Sequence, residues 1–142
     1  MGETLPKESN QVNLDENLTD SWGIPLLKVD VDYDDNDEKM LQDFFDEFSE
    51  MYKKAGFTNI KTNDNGRIPG NDIHEMGGAR MGHDPKTSLL NKWNQIHHCS
   101  NVFVTDGACM TSTSTQNPSL TFMALTARAA HHAIQEMKKG NI

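Results

Sequence analysis

The residues best suited to chemistry fall in three short segments: His74-Glu75-Met76-Gly77-Gly78-Ala79-Arg80-Met81-Gly82, Val104-Thr105-Asp106-Gly107, and Gln116-Asn117-Pro118-Ser119-Leu120-Thr121. An imidazole such as His74, neutral near physiological pH, can take a proton from a hydroxyl, and the glycines beside it let backbone approach a ligand closely. Asn117 and Pro118 suit the start of a helix, with Asn117 at the N-cap and Pro118 in the first turn. The helix N-terminus they open carries partial positive charge that can face a developing anion. Taken alone, a histidine among glycines is a weak sign, because most such histidines are structural or exposed. Arg80 reads first as a structural or surface ion pair and second as an anion ligand.

Other chemistries fit the residues poorly. The spacing Gly77-Gly78-Ala79-Arg80-Met81-Gly82 is not the Gly-x-Gly-x-x-Gly of a dinucleotide turn, and no helix signal follows it. Histidines stand at 74, 83, 97, 98, 131 and 132. His74-Glu75 lacks the second histidine of a zinc helix, and the adjacent pair His131-His132 points to different sides of a helix, so no metal is expected. Ser112, Ser114 and Ser119 lack the glycines of a nucleophile elbow. The acidic run Asp34 to Glu38 lacks the ligand spacing of a calcium loop and reads as helix capping.

The chain has 142 residues and a formal charge of −8, with 35% hydrophobic residues. That length suits one domain with a modest core, while the low apolar content points to core surface completed by a segment outside the chain. The acidic balance and the lack of a Lys/Arg cluster exclude a nucleic-acid footprint. No apolar run nears the roughly 20 residues of a membrane span, and no hydrophobic leader is expected. Cys99 and Cys109 read as two reduced thiols, and the sequon Asn17-Leu18-Thr19 as a chance match.

The elements that must carry these residues follow from periodicity. Gln11 to Leu14 gives a short alternating strand, Trp22-Gly23-Ile24-Pro25 a turn, and Leu27, Val29, Val31 and Tyr33 a strand with one wet face. A helix is expected from the Asp34 region to about Ala55, with Gly56 at C′; Met40, Phe44, Phe48, Met51 or Tyr52, and Ala55 form a stripe assigned to core packing. Ile68 to Asp72 makes a tight turn, and Val102-Phe103-Val104 a buried strand ending at Asp106-Gly107. From Pro118 a helix to Gly140 carries Leu120, Met123 or Ala124, Ala127, Ala130 or His131, Ile134 and Met137 in one stripe, its alanines permitting close approach of another layer.

The three segments together, in this order, resemble the C-terminal part of the glucose-methanol-choline (GMC) flavoprotein oxidoreductases, nearest the gluconate-dehydrogenase and pyranose-oxidase side. The match is specific over residues 70 to 138 and outlines a substrate domain before that. It implies an α+β partial domain: antiparallel substrate-domain strands and an amphipathic helix in 1–69, then a C-terminal strand, loop and long helix in 70–142 that would pack on an absent FAD-binding half. The resemblance assigns His74 as catalytic base and Asn117 as the second active-site position. It places Asp106 and Gly107 near the ribityl and diphosphate of FAD, and Asn117 and Pro118 beside its ring. Implied partners are the FAD-binding half, an alcohol or sugar substrate and electron-transfer subunits, with the isolated chain inactive. A noncatalytic carbohydrate- or protein-binding module of the same shape, and a subunit pairing in trans with a flavin-binding chain, are the alternatives.

Overall fold

The computed structural model describes residues 2–64, 66–71 and 73–142, and the chain divides into two compact units, Met1–Asp72 and Ile73–Ile142. The expected turn at 68–72 is present through Asn71, whose N–H donates to the Ile68 carbonyl at 3.2 Å; Asp72 lies outside the described residues.

In the first unit, strands β1 (Gln11–Thr19) and β2 (Pro25–Asp30) pair antiparallel, Gln11 opposite Asp30 and Leu14 opposite Leu27. β1 runs further than its alternation predicts. The register slips between Leu14 and Thr19, and the Asp15 carboxylate accepts the N–H groups of Asn17 and Leu18 at 2.8 and 2.9 Å, so a bulge absorbs the polar stretch. The turn closes on Asp20, whose side chain accepts from Trp22 and Ile24, with Gly23 at φ +80. β2 stops before Tyr33, because Lys7 and Asn10 take over the next backbone groups at Asp32. The expected alternation holds only toward the end of the segment: Val29, Val31 and Tyr33 are half-buried between exposed Lys28 and Asp32, with Gly70 close to Val29, whereas Leu27 is exposed together with Val12, Leu14, Leu18 and Leu26.

Helix α1 (Asp35–Lys54) begins where the acidic run predicts. Asp34 is the N-cap: its carboxylate accepts from the amides of Asn36 and Asp37, while Asp37 reaches back to the Asp34 amide at 2.9 Å, a reciprocal capping box. Gly56, at φ +90, follows the C-cap Ala55. The aromatic stripe packs on itself, with the Phe44 and Phe48 rings 4.2 Å apart and Tyr52 edge-on to Phe57. It is not the buried core the periodicity predicts, since Phe44, Phe48, Met51 and Tyr52 each stay at least 40% exposed.

The second unit is built around Leu90, which is fully buried. Leu90 bridges Met81 on one side and Ile96 on the other, and beside it β3 (Gln95–Ile96) pairs antiparallel with β4 (Cys99–Phe103). β4 is the strand expected at Val102, yet Val102 is exposed, while Phe103 and Val104 after it are half-buried rather than buried. A 3-10 turn (Gly107–Cys109) follows, then helix α2 (Ser119–Lys139) with Gly140 left-handed at its C-cap.

Two details of α2 differ from the sequence reading. The N-cap is Pro118, not Asn117, and no side chain caps the first turn. The apolar stripe also faces away from the unit: Leu120 and Met123 are 78% and 68% exposed, and Ile134 and Met137 follow them. The face turned inward is Phe122, Leu125, Ala129 and Ala133, of which Ala129 is buried and the others half-buried. α2 is therefore apolar on two faces, a pattern of helices enclosed on both sides.

The accessible surface expresses the same incompleteness. The chain exposes 10636 Å². A folded monomer of its mass exposes about 7,400 Å², and two separate globules of half that mass about 8,900 Å².

The capping box yields a local prediction. Backbone hydrogen bonds from Asp37 and Asn36, with Lys7 nearby, hold the Asp34 carboxyl below the ordinary carboxylate range. A depressed carboxyl stabilises the fold above its unfolded value, and the contribution is lost as pH falls through the lowered one. Asp34→Ala, or acidification through that range, is expected to speed hydrogen exchange at the Asn36 and Asp37 amides while leaving Phe48 to Tyr52 unchanged. Equal exchange in the variant and the parent would contradict this role.

Candidate active site

Each candidate residue lies in the second unit. His74 sits half-buried in irregular chain at the head of the glycine loop. From there the loop zips onto the 3-10 turn: Ala79 N–H donates to the Ala108 carbonyl at 2.9 Å and Met81 N–H to the Cys109 carbonyl at 3.0 Å. On its other edge Leu90 N–H donates to Arg80 O at 3.2 Å and Gly82 N–H to Leu90 O at 2.8 Å. Gly77, at φ +90, lets the loop bend over the carbonyls of Met110 and Thr111. Arg80 is structural, its guanidinium donating to the Thr87 carbonyl.

Gly107 is the point of closest approach. A Cβ placed on it would stand 2.8 Å from the Glu75 carbonyl oxygen, 2.9 Å from Met76 Sδ and 3.4 Å from the Phe122 ring. The residues directly after His74, the Asp106-Gly107 turn and the first turn of α2 therefore meet at one place. This gives Gly107 an internal packing reason for being glycine. Asp106 caps its own 3-10 turn, its carboxylate accepting from Ala108 N–H at 3.0 Å.

Pro118 is buried, and its carbonyl accepts the Phe122 N–H at 3.0 Å; Asn117, just before it, is exposed. Among the described residues no hydrogen bond joins His74 to Asn117, so what the structure unites is their supporting segments. Pro118 makes no side-chain cap bond, and among the described residues no carboxylate or hydroxyl accepts from the N–H groups opening the 21-residue α2. Thr113, in the loop between Gly107 and Asn117, has a buried hydroxyl with no hydrogen-bond partner among the described residues. Open amides and an orphaned hydroxyl on the approach to one helix end suit the polar edge of an anionic or heterocyclic cofactor.

Two other histidines of the unit have structural partners. His97 Nε2 lies 3.2 Å from Ser88 Oγ, and the His132 ring stacks on Trp93 at 4.7 Å. His131, its neighbour, is exposed on a different side of the helix. No described group of three or more His, Cys, Asp or Glu side chains is arranged to hold a metal ion. Both cysteines are free, and burial pushes the Cys109 thiol above its ordinary value.

Two residues of this unit escape a reading of sequence alone. Asn94 is completely buried, and its side-chain oxygen accepts from Arg128 Nη2 at 2.9 Å. The available signal is a lone arginine within Ala127-Arg128-Ala129-Ala130, whose residue is exposed while its guanidinium reaches the buried Asn94.

A family model described as GMC oxidoreductase matches residues 6–126, and the chain belongs to that family. It is 37% identical over 132 residues to the 2-methyl-1,2-propanediol dehydrogenase of Mycolicibacterium austroafricanum, covering 92% of this chain and 24% of that one. To the fructose dehydrogenase large subunit of Gluconobacter japonicus it is 34% identical, over 97% of this chain and 25% of that one. To the gluconate 2-dehydrogenase flavoprotein of Pantoea cypripedii it is 34% identical, over 90% and 22%. The chain thus spans about a quarter of the length of these relatives.

The contact at Gly107 makes a direct prediction. In Gly107→Ala the new methyl meets a backbone carbonyl that cannot swing aside, so a loss of about 1 to 3 kcal/mol is expected. Thermal unfolding of the full-length protein measures it, and an unchanged midpoint would show that the three segments do not close on this residue.

Proposed function

We propose that this chain is the C-terminal, substrate-side portion of an FAD-dependent oxidoreductase that oxidises the CH–OH group of an alcohol or sugar, and that by itself it is inactive. The observation that carries the reading is the convergence at Gly107 of the His74 loop, the Asp106 turn and the uncapped start of α2. The relatives support the substrate class, their names specifying a diol, a sugar and a sugar acid.

In this reading His74 receives the hydroxyl proton of the bound alcohol as the carbon is oxidised. Asn117 orients that hydroxyl through its side-chain amide. FAD, when bound, supplies the hydride acceptor. The amides at the start of α2, with Asp106, Gly107 and Pro118 beside them, would hold its polar edge, and their partial positive charge favours negative charge there more strongly in a dry site than in water. The exposed stripe of α2, with alanines at 124, 127 and 130, is the face that packs on the FAD-binding half. Relatives include a protein named as a large subunit, which supports electron-transfer subunits as partners. No described helix is long and apolar enough to cross a membrane. No observation favours a noncatalytic binding module.

Two outcomes are expected. The isolated chain purifies without flavin absorbance, whereas the full-length protein carries FAD; flavin retained by the isolated chain would contradict the division of labour. In the full-length protein His74→Ala keeps FAD bound but slows its reduction by alcohol on the order of 100-fold or more, the scale of a lost general base. Reduction at the parent rate in rapid-mixing absorbance would remove His74 from the role.

A further inference from the structure

Asn94 and Arg128 belong to neither the proposed base nor the proposed cofactor contacts, yet their bonds reach the segments that carry both. Asn94 is fully buried and left-handed at φ +63, a conformation asparagine tolerates better than most residues. Its backbone carbonyl accepts the Val104 N–H at 2.9 Å, and its side-chain Nδ2 donates to the Val104 carbonyl at 3.0 Å. Both polar groups of the residue that leaves β4 toward Asp106 are thus held by one residue. On the opposite side Oδ1 accepts from Arg128 Nη2 at 2.9 Å, and that same nitrogen lies 3.4 Å from the Met81 sulfur. Met81 in turn is hydrogen-bonded to Cys109 within the pairing that carries the His74 loop.

The chemistry requires a carboxamide. One end must donate to a carbonyl and the other must accept from a guanidinium, and in a closed site neither atom can turn to water. An aspartate would satisfy Arg128 but set a carboxylate oxygen against the Val104 carbonyl, and a glutamine is one methylene too long for the space.

We infer that Asn94, clamped by Arg128, is a positioning residue: it sets the register between the His74 loop, the Asp106-Gly107 turn and α2, and so the approach of His74 and Asn117 to substrate. The inference rests on the reading of His74 as base. Small displacements suffice, since a shift of about 1 Å at reacting groups can cost about a hundredfold in rate.

The test uses the full-length flavoprotein with Asn94→Gly and Asn94→Asp. Alanine is a poor probe, because its Cβ is strained at this φ, whereas glycine keeps the backbone and removes only the side-chain bonds. The readouts are the rate constant of flavin reduction per bound flavin, separated from substrate affinity, and hydrogen exchange at the Ala79, Met81 and Val104 amides. Both variants are expected to lose about tenfold or more in the rate constant with the substrate dissociation constant nearly unchanged, while the three amides exchange faster together. A parent rate constant per bound flavin in both variants, whatever the loss of thermal stability, would overturn the inference and leave Asn94 a packing residue. Unchanged exchange at Ala79 and Met81 would overturn it equally. A parent rate in His74→Ala would instead remove the base assignment, and the exchange data would still decide whether Asn94 holds the loop.

Discussion

The second unit depends on a short backbone zipper, Ala79 to Ala108 and Met81 to Cys109, pulled tight over Gly107. Two hydrogen bonds of this kind contribute about 0.5 to 1.5 kcal/mol each in net stability, so they do not hold the unit together by strength alone. They hold it by exclusion, because Glu75, Met76 and Phe122 can occupy their places only while position 107 lacks a side chain. The closed zipper brings Glu75 and Met76, the residues directly after position 74, against the turn at 106–107. Buried Leu90 on the far edge and buried Cys109 beneath complete the enclosure.

Outside that enclosure the molecule buries little. Among the described residues Leu90, Cys109 and Ala129 are the buried apolar ones outside proline, and all three belong to the second unit. The hairpin, the aromatic stripe of α1 and the outer stripe of α2 remain open to solvent. Burial of a large apolar side chain contributes about 1.5 to 3 kcal/mol, so this much uncovered surface is a substantial part of a fold's driving force left unused. Covering α2 on its outer face would place its uncapped start between two layers, in the dry surroundings where a helix dipole acts most strongly.

Much of the fold is legible from residue types. Asp34 and Gly56 mark the ends of α1 because capping is a local contest among a few amides and one side chain, which the sequence displays in full. Gly23 and Gly140 mark a turn and a helix end for the same reason. Periodicity locates both helices but misassigns what covers them: a stripe shows that a face is apolar, not which polypeptide lies on it. The outer stripe of α2 is apolar as expected, yet the unit itself uses Phe122, Leu125, Ala129 and Ala133, a second and subtler pattern that narrows from large side chains to small ones along the helix. Pro118 displaces Asn117 from the cap because its backbone at φ −88 already turns into the helix. At the site, the loop, turn and helix are recognisable as motifs. Asn94 is not, since its importance comes from partners 10 and 34 residues away.

On the proposed reading His74 and Asn117 form two walls of one compartment against the flavin. A crystal structure of the full-length protein with FAD and an unreactive alcohol analogue measures this directly. The expected arrangement is one ligand oxygen within about 3.2 Å of both the His74 imidazole and the Asn117 side-chain amide, over the flavin ring and before the first turn of α2. A ligand oxygen touching neither, or a flavin ring on the far side of the zipper from α2, would refute that arrangement.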